Sequence, residues 1–283
     1  MSLKVKKAAG IGFCMGVQRA IDILEQVSRE RGGVETLGAV VHNQQVLRRL
    51  ADIGVRVVGN VDDLQGDVVV ISSHGVGPQV IGEIKSRNIK VVDTTCPFVK
   101  RAQVAARRLA ESGFFTIVFG DVDHPEVKGI LGWAGGKGMA TQDAGAFASI
   151  DNSPRRLGVL SQTTQIPAEF ARFAKDIIDI ALVKDAELRI IDTICHDIRR
   201  RQEDTLSLAE ESDLVFVVGG HTSANSRHLV ELCSKVTETY LIETADEIQT
   251  SWLQGKRRIG VTSGASTDEQ TIDEVVARLE SLA

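Results

Sequence analysis

The 283-residue sequence predicts an α/β protein with mainly parallel sheets. Three observations carry that prediction. β-branched apolar runs alternate with helical patterns along the whole chain. Several of the runs, at 68–72 and 214–218 for example, are uniformly apolar, as expected for strands covered on both faces. One local grammar also recurs three times, an apolar run, then a cysteine, then a helix. It reads AGIGFCMGVQRA at 9–20, KVVDTTCPFVKRA at 90–102 and RIIDTICHDIRRRQ at 189–202.

Taken in order, strands are predicted at 34–41, 68–72, 91–93, 115–119, 157–160, 188–191, 214–218, 239–242 and 259–261. Helices are predicted at 15–31, 44–52, 78–88, 97–112, 167–181, 198–211, 226–235 and 268–282. Pro97 falls in a first helical turn, where a missing N–H costs nothing.

Aligning the three cysteines exposes an internal repeat. A helix follows each. Next comes a strand ending in a polar loop: VVHNQ at 40–44, GDVDHPE at 120–126 and GGHTSANS at 219–226. A later strand ends in another: SSHGV at 72–76, SQTTQ at 161–165 and TSGAST at 262–267. The third unit lacks the strand that closes the other two, and residues 3–11 are positioned to supply it. The expected architecture is three α/β domains about a pseudo-threefold axis: 14–96, 97–194, and 195–283 completed by 1–13. Plain α/β alternation without a repeat is the alternative. Ligands of open α/β sheets collect at the carboxyl ends of strands, where all three cysteines and all six loops would sit.

Composition removes several function classes. The chain is 43% hydrophobic and 25% charged, so it packs a core rather than staying disordered. Aromatic residues make up only 4%, too few for base-stacking platforms, and a net charge of −5 offers no field for nucleic acid or anionic lipid. The run Arg199-Arg200-Arg201 reads as a solvated helix face. No stretch approaches the ~20 apolar residues of a membrane span, and MSLKVKKAAG lacks a signal-peptide core. The expected setting is the cytoplasm, with Cys14, Cys96, Cys195 and Cys233 as thiols.

At a strand-to-helix turn, the positive helix end favours thiolate at Cys14. Three thiolates without fixed short spacing suit a cluster or metal held between domains; zinc usually closes a structural site with four ligands, whereas an iron–sulfur cluster is commonly held by cysteine. Buried, inert thiols are the plainer alternative. Cys233 lies inside a helical pattern and reads as a small apolar core residue.

His42, His74 and His124 fall in equivalent loops and suit a shared anion, although a loop histidine can equally serve structure alone. Ser223, Asn225 and Ser266 add neutral donors near helix starts, where they would also serve as caps. Glu126, in HPE, is the acid candidate; its plainer role is to complement a helix dipole. Thr163 is placed to orient or relay its proton.

FCMGVQRAI, VVHN, SSHGV, DTTCP, DHPEVKG, SQTT, DTIC and GVTSGAS, in this order and spacing, resemble the 4-hydroxy-3-methylbut-2-enyl diphosphate reductase (LytB/IspH) family from about Gly10 to the last helix. The resemblance implies a 4Fe–4S cluster on Cys14, Cys96 and Cys195, with one iron lacking a protein thiolate. It implies the last step of the non-mevalonate isoprenoid pathway, a two-electron reductive dehydroxylation giving isopentenyl and dimethylallyl diphosphate. The substrate diphosphate would meet His42, His74, His124, Ser223, Asn225 and Ser266. Glu126 and Thr163 would deliver protons, and a ferredoxin or flavodoxin-type donor would supply electrons. Neither nucleic acid nor membrane is implied as a partner.

The chain departs from the family pattern at three places. Ala224 stands where serine is usual, HDIRRRQ replaces the usual residues after the third cysteine while keeping Arg201-Gln202, and His221-Thr222 replaces Lys-Asn. Two rivals remain at this level. One is a quinolinate synthase-like or dehydratase enzyme, which also pairs three cysteines with an open iron. The other is an iron–sulfur sensor, which needs no acid beside the iron.

Overall fold

The structure, a computed structural model, describes residues 3–148 and 154–282. It contains three four-stranded sheets, and every strand pair in them is parallel. In chain order the elements are β1 (Lys4–Lys7), α1 (Met15–Arg31), β2 (Val34–Leu37), α2 (Gln44–Asp52), β3 (Val55–Val58), β4 (Val68–Ile71), α3 (Pro78–Ser86) and β5 (Lys90–Asp93). They continue with α4 (Pro97–Glu111), β6 (Phe115–Phe119), α5 (Pro125–Trp133), β7 (Gly138–Thr141), α6 (Ala144–Ala148), β8 (Arg156–Ser161), α7 (Pro167–Val183) and β9 (Glu187–Ile190). The last are α8 (His196–Glu210), β10 (Leu214–Val218), α9 (Ala224–Ser234), β11 (Glu238–Ile242), β12 (Arg258–Ser263) and α10 (Glu269–Ser281).

The sheet orders are β3-β2-β4-β5, β7-β6-β8-β9 and β11-β10-β12-β1. Each starts on an inner strand, steps to one edge, then crosses to the other side. The third is closed by the amino-terminal strand, with Lys4 opposite Arg258 and Lys7 opposite Val261. The internal repeat seen in the sequence is thus a repeat of topology.

Two compact units hold these sheets. The first comprises Met1–Asp22, Val41–Ile53 and His196–Ala283; the second comprises Ile23–Val40 and Gly54–Cys195. In the first, side-chain alternation splits β10 between two apolar layers. Leu214, Phe216 and Val218 pack with Ile272, Val275 and Leu279 of α10, while Val215 and Val217 pack with Leu229 and Cys233 of α9. In the second, Ile117 and Phe119 face Phe170, Phe173 and Ile177 of α7. Val118 faces Ala102, Ala106 and Leu109 of α4 and Val127 and Ile130 of α5. Strands covered on both sides explain the uniformly apolar runs.

Some elements differ from the sequence expectation. The run at 34–41 pairs only as far as Leu37; Val40 and Val41 are buried without continuing the strand. The closing amino-terminal strand spans Lys4–Lys7 rather than 3–11. The short edge strands β3 and β7 carry little periodicity, and α5 has two glycines, Gly129 and Gly132, which weaken a helical pattern. No helix of the described residues is long and apolar enough to cross a membrane.

Candidate active site

Cys14, Cys96 and Cys195 each stand immediately before a helix, α1, α4 and α8 respectively. None of the four cysteines is in a disulfide. Each of the three is fixed by the same device, its backbone N–H donating to a carbonyl in the loop after a neighbouring strand. Cys14 donates to Ala265 (3.1 Å), Cys96 to Ser73 (3.0 Å) and Cys195 to Thr163 (2.9 Å). The accepting loops are TSGAS, SSHGV and SQTTQ. Within each sheet, the cysteine is therefore tied to a loop that carries a candidate substrate or catalytic residue: Ser266, His74 or Thr163.

Glu126 lies in the second unit, in the first turn of α5, and is 2% exposed. Thr163 holds both carboxyl oxygens. Its backbone N–H donates to Oε1 at 2.6 Å and its hydroxyl to Oε2 at 2.9 Å. Burial nevertheless pushes the Glu126 carboxyl up to about 7, against the lowering effect of both Thr163 donors. The group can therefore exist protonated or ionised near neutral pH, the condition for moving a proton. Thr163 serves three ways at once: two donors to Glu126 and a carbonyl to the Cys195 amide.

His124 caps α5, with Nδ1 accepting from the Glu126 N–H at 3.2 Å. Since Nδ1 accepts, the neutral ring carries its proton on Nε2. The His74 ring lies edge-on to His124 with centroids 5.4 Å apart. The Trp133 indole N–H donates to the Val76 carbonyl at 3.0 Å, tying the His74 loop to α5. The second unit thus gathers His74, His124, Glu126 and Thr163 together.

In the first unit, Asn43 caps α2 through its side chain, accepting from Gln45 and Val46 N–H groups. A Cβ on Gly220 would lie 2.0 Å from the His42 carbonyl oxygen, so only glycine lets that loop approach. Ser223 caps α9 and is 5% exposed. Asn225, in the first turn of α9, is 4% exposed, and neither atom of its amide has a hydrogen-bond partner among the described residues. A buried, unpaired amide is costly unless something binds it. Ser266 is half-buried beside Ala265.

Two electrostatic expectations change. Cys14 was expected to favour thiolate; removal from water instead raises its pKa, outweighing the Val17 and Gly16 amides and Arg201. Desolvation wins over the helix end. His42 likewise is pushed down by burial and by Arg227, so it is a neutral donor in the ligand-free chain. The basic run also splits: Arg200 is exposed, but Arg201 is 5% exposed and belongs to the interior. Cys233 is fully buried in the α9 layer, where burial pushes its thiol to about 12. Gly12 takes φ +83°, a conformation that turns the chain into Cys14.

Sequence reasoning did not single out Gln162, which is fully buried with its side-chain oxygen accepting from the Asp121 N–H at 3.1 Å, so that it braces the loop leading to His124. Its place in SQTTQ was the available signal.

Comparison with known proteins identifies the family. The family described as LytB protein matches residues 5–280. A 4-hydroxy-3-methylbut-2-enyl diphosphate reductase of Dehalococcoides mccartyi (strain CBDB1) is 63% identical over 281 residues, covering 99% of both chains. The reductase of the same name from Geobacter sulfurreducens is 39% identical over 279 residues, covering 98% of this chain and 97% of the relative. A solved structure of (E)-4-hydroxy-3-methyl-but-2-enyl diphosphate reductase, described as the terminal enzyme of the non-mevalonate pathway, aligns over 99% of both chains at TM-score 0.71 and 34% identity. The fold alone is shared with the Plasmodium falciparum E-1-hydroxy-2-methyl-but-2-enyl-4-diphosphate reductase, at TM-score 0.91 and 24% identity over 98% of this chain and 88% of that one.

Proposed function

The chain belongs to the LytB family, and from that premise we propose that it reduces 4-hydroxy-3-methylbut-2-enyl diphosphate to isopentenyl and dimethylallyl diphosphate. The observation that carries this reading is the buried Glu126 carboxyl, gripped by Thr163 and raised to about 7, in a chain with three helix-start thiols. The reaction replaces a C–O bond by a C–H bond, consuming two electrons and two protons and releasing water. A chain performing it needs an acid, an anion site and a source of electrons.

Cys14, Cys96 and Cys195 are the proposed protein ligands of a 4Fe–4S cluster with one iron left without a thiolate. The donor chemistry fits. All three are reduced thiols at helix starts, with their backbones anchored, and Cys233 is set apart by its apolar packing. When bound, such a cluster supplies electrons, which no side chain here carries, and a Lewis-acidic iron.

The remaining work falls to side chains. His42, His74, His124, Ser223, Asn225 and Ser266 bind the diphosphate, and the unpaired Asn225 amide supports that role. The neutral His124 offers Nε2–H to phosphate oxygen. Glu126 donates the proton that lets the substrate hydroxyl leave as water, while Thr163 holds the carboxyl and relays its recharging. Ala224 has no hydroxyl to add, so one contact available to serine-bearing relatives is missing. Three domains (14–96, 97–194 and 195–283 with 1–13), a cytoplasmic setting and a ferredoxin or flavodoxin-type donor complete the reading.

The test is anaerobic reconstitution followed by assay with the hydroxylated diphosphate and reduced viologen or ferredoxin. The expected result is both five-carbon diphosphates. Full cluster occupancy without either product overturns the proposal.

A further inference from the structure

Arg201 is a cation inside the first unit, 5% exposed. Its Nη1 donates to the Ser263 carbonyl (3.0 Å) and hydroxyl (3.3 Å), and its Nη2 to the Gly12 carbonyl (2.8 Å). Nε is buried with no partner among the described residues. Every acceptor is neutral. Asp197 and Asp204, on the same helix, are near enough to favour its charge, and Asp204 Oδ2 is itself buried with no hydrogen-bond partner among the described residues. Buried charges are normally paired, because neutral acceptors do not repay the loss of hydration.

The contacts place the guanidinium against the segments that carry Cys14. Gly12 is two residues before Cys14, and Ser263 is two before Ala265, whose carbonyl holds the Cys14 amide. The Ser263 hydroxyl also accepts from the Gly12 N–H at 2.9 Å. Arg201 therefore clamps together the two segments that position Cys14.

We propose that Arg201 is the buried counter-charge of the cluster bound through Cys14, a positioning residue that also raises the potential at which the cluster accepts an electron. A fixed positive charge stabilises the reduced, more negative form more than the oxidised one. The inference rests on the reading of Cys14 as a cluster ligand.

The experiment is an anaerobic redox titration of the reconstituted holoenzyme, followed by electron paramagnetic resonance. It compares wild type with Arg201→Lys, Arg201→Gln and Arg201→citrulline. Lysine and citrulline both lose donors, but only citrulline loses the charge while keeping the side-chain shape. The expected result is a midpoint potential shifted negative in Arg201→Gln and Arg201→citrulline, and near wild type in Arg201→Lys. Should Arg201→Gln fail to fold, the citrulline chain decides. A wild-type potential in Arg201→citrulline, or equal shifts in the lysine and citrulline variants, overturns the counter-charge role alone. Failure of the wild-type chain to assemble a cluster overturns the ligand reading and this inference with it.

Discussion

Glu126 and Asn225 are both buried polar side chains in the first turn of a helix, and their surroundings are opposite. Glu126 has donors on both carboxyl oxygens, and no cation among the described residues contributes to its shift. Asn225 has four hydrogen-bonding positions and no partner for either amide atom among the described residues. The first is fully organised before any ligand arrives, which suits a group whose task is to hold and release one proton. The second carries a hydrogen-bonding demand that the described residues do not meet, which suits a binding group. On the proposed reading, the same degree of burial serves chemistry in one place and affinity in the other.

The largest expected effect comes from removing the proton. Glu126→Gln keeps the shape and one acceptor, so iron content and substrate binding should remain. Its turnover should fall by about 10²-fold or more, the usual worth of a positioned acid. Near-normal single-turnover rates would take the acid role away from Glu126.

Next is the pH dependence of the ligand-free chain. Glu126 titrates near 7 when folded and near 4.5 when unfolded. Between those values the native state binds more protons, so stability is greatest at low pH and declines as pH rises through the window. The decline attributable to this group is about 3 kcal/mol at most. Denaturant titrations across pH 4.5 to 7.5 should show it in wild type and not in Glu126→Gln. Parallel curves for the two proteins would mean that burial does not raise the group.

Asn225→Ala probes the other side of the comparison. KM should rise by about tenfold, equivalent to about 1.4 kcal/mol. The melting temperature of the ligand-free chain should hold or increase, since an unpaired buried amide is removed. A clear drop in that temperature would show that the amide is satisfied in the resting protein.

The smallest effect is at Cys233. Cys233→Ser buries a hydroxyl in an apolar layer and should cost about 1–2 kcal/mol. Iron content should match wild type, and loss of iron would change the choice of three ligands.

Several features could be read along the chain because the interactions that set them are local or periodic. Continuous apolar runs mark strands covered on both faces, as at Val68–Ile71 and Leu214–Val218. The thrice-repeated strand, cysteine and helix order anticipated three sheets of one topology, including closure of the third by the amino terminus. The motifs also identified the family. Edges were harder to read: β3 and β7 have one neighbour each and little pattern, and Val40 and Val41 are buried by packing rather than by pairing.

What the tertiary structure alone decided is electrostatic. Helix position suggested an ionised Cys14 and a solvated Arg201, yet burial raises the first and encloses the second. The pairing of Glu126 with Thr163 joins residues 37 positions apart, and its pKa follows from that enclosure. Residue type and spacing determine which groups are available. Desolvation depends on everything packed around a group, much of it distant in the chain, and it sets the charge each group carries.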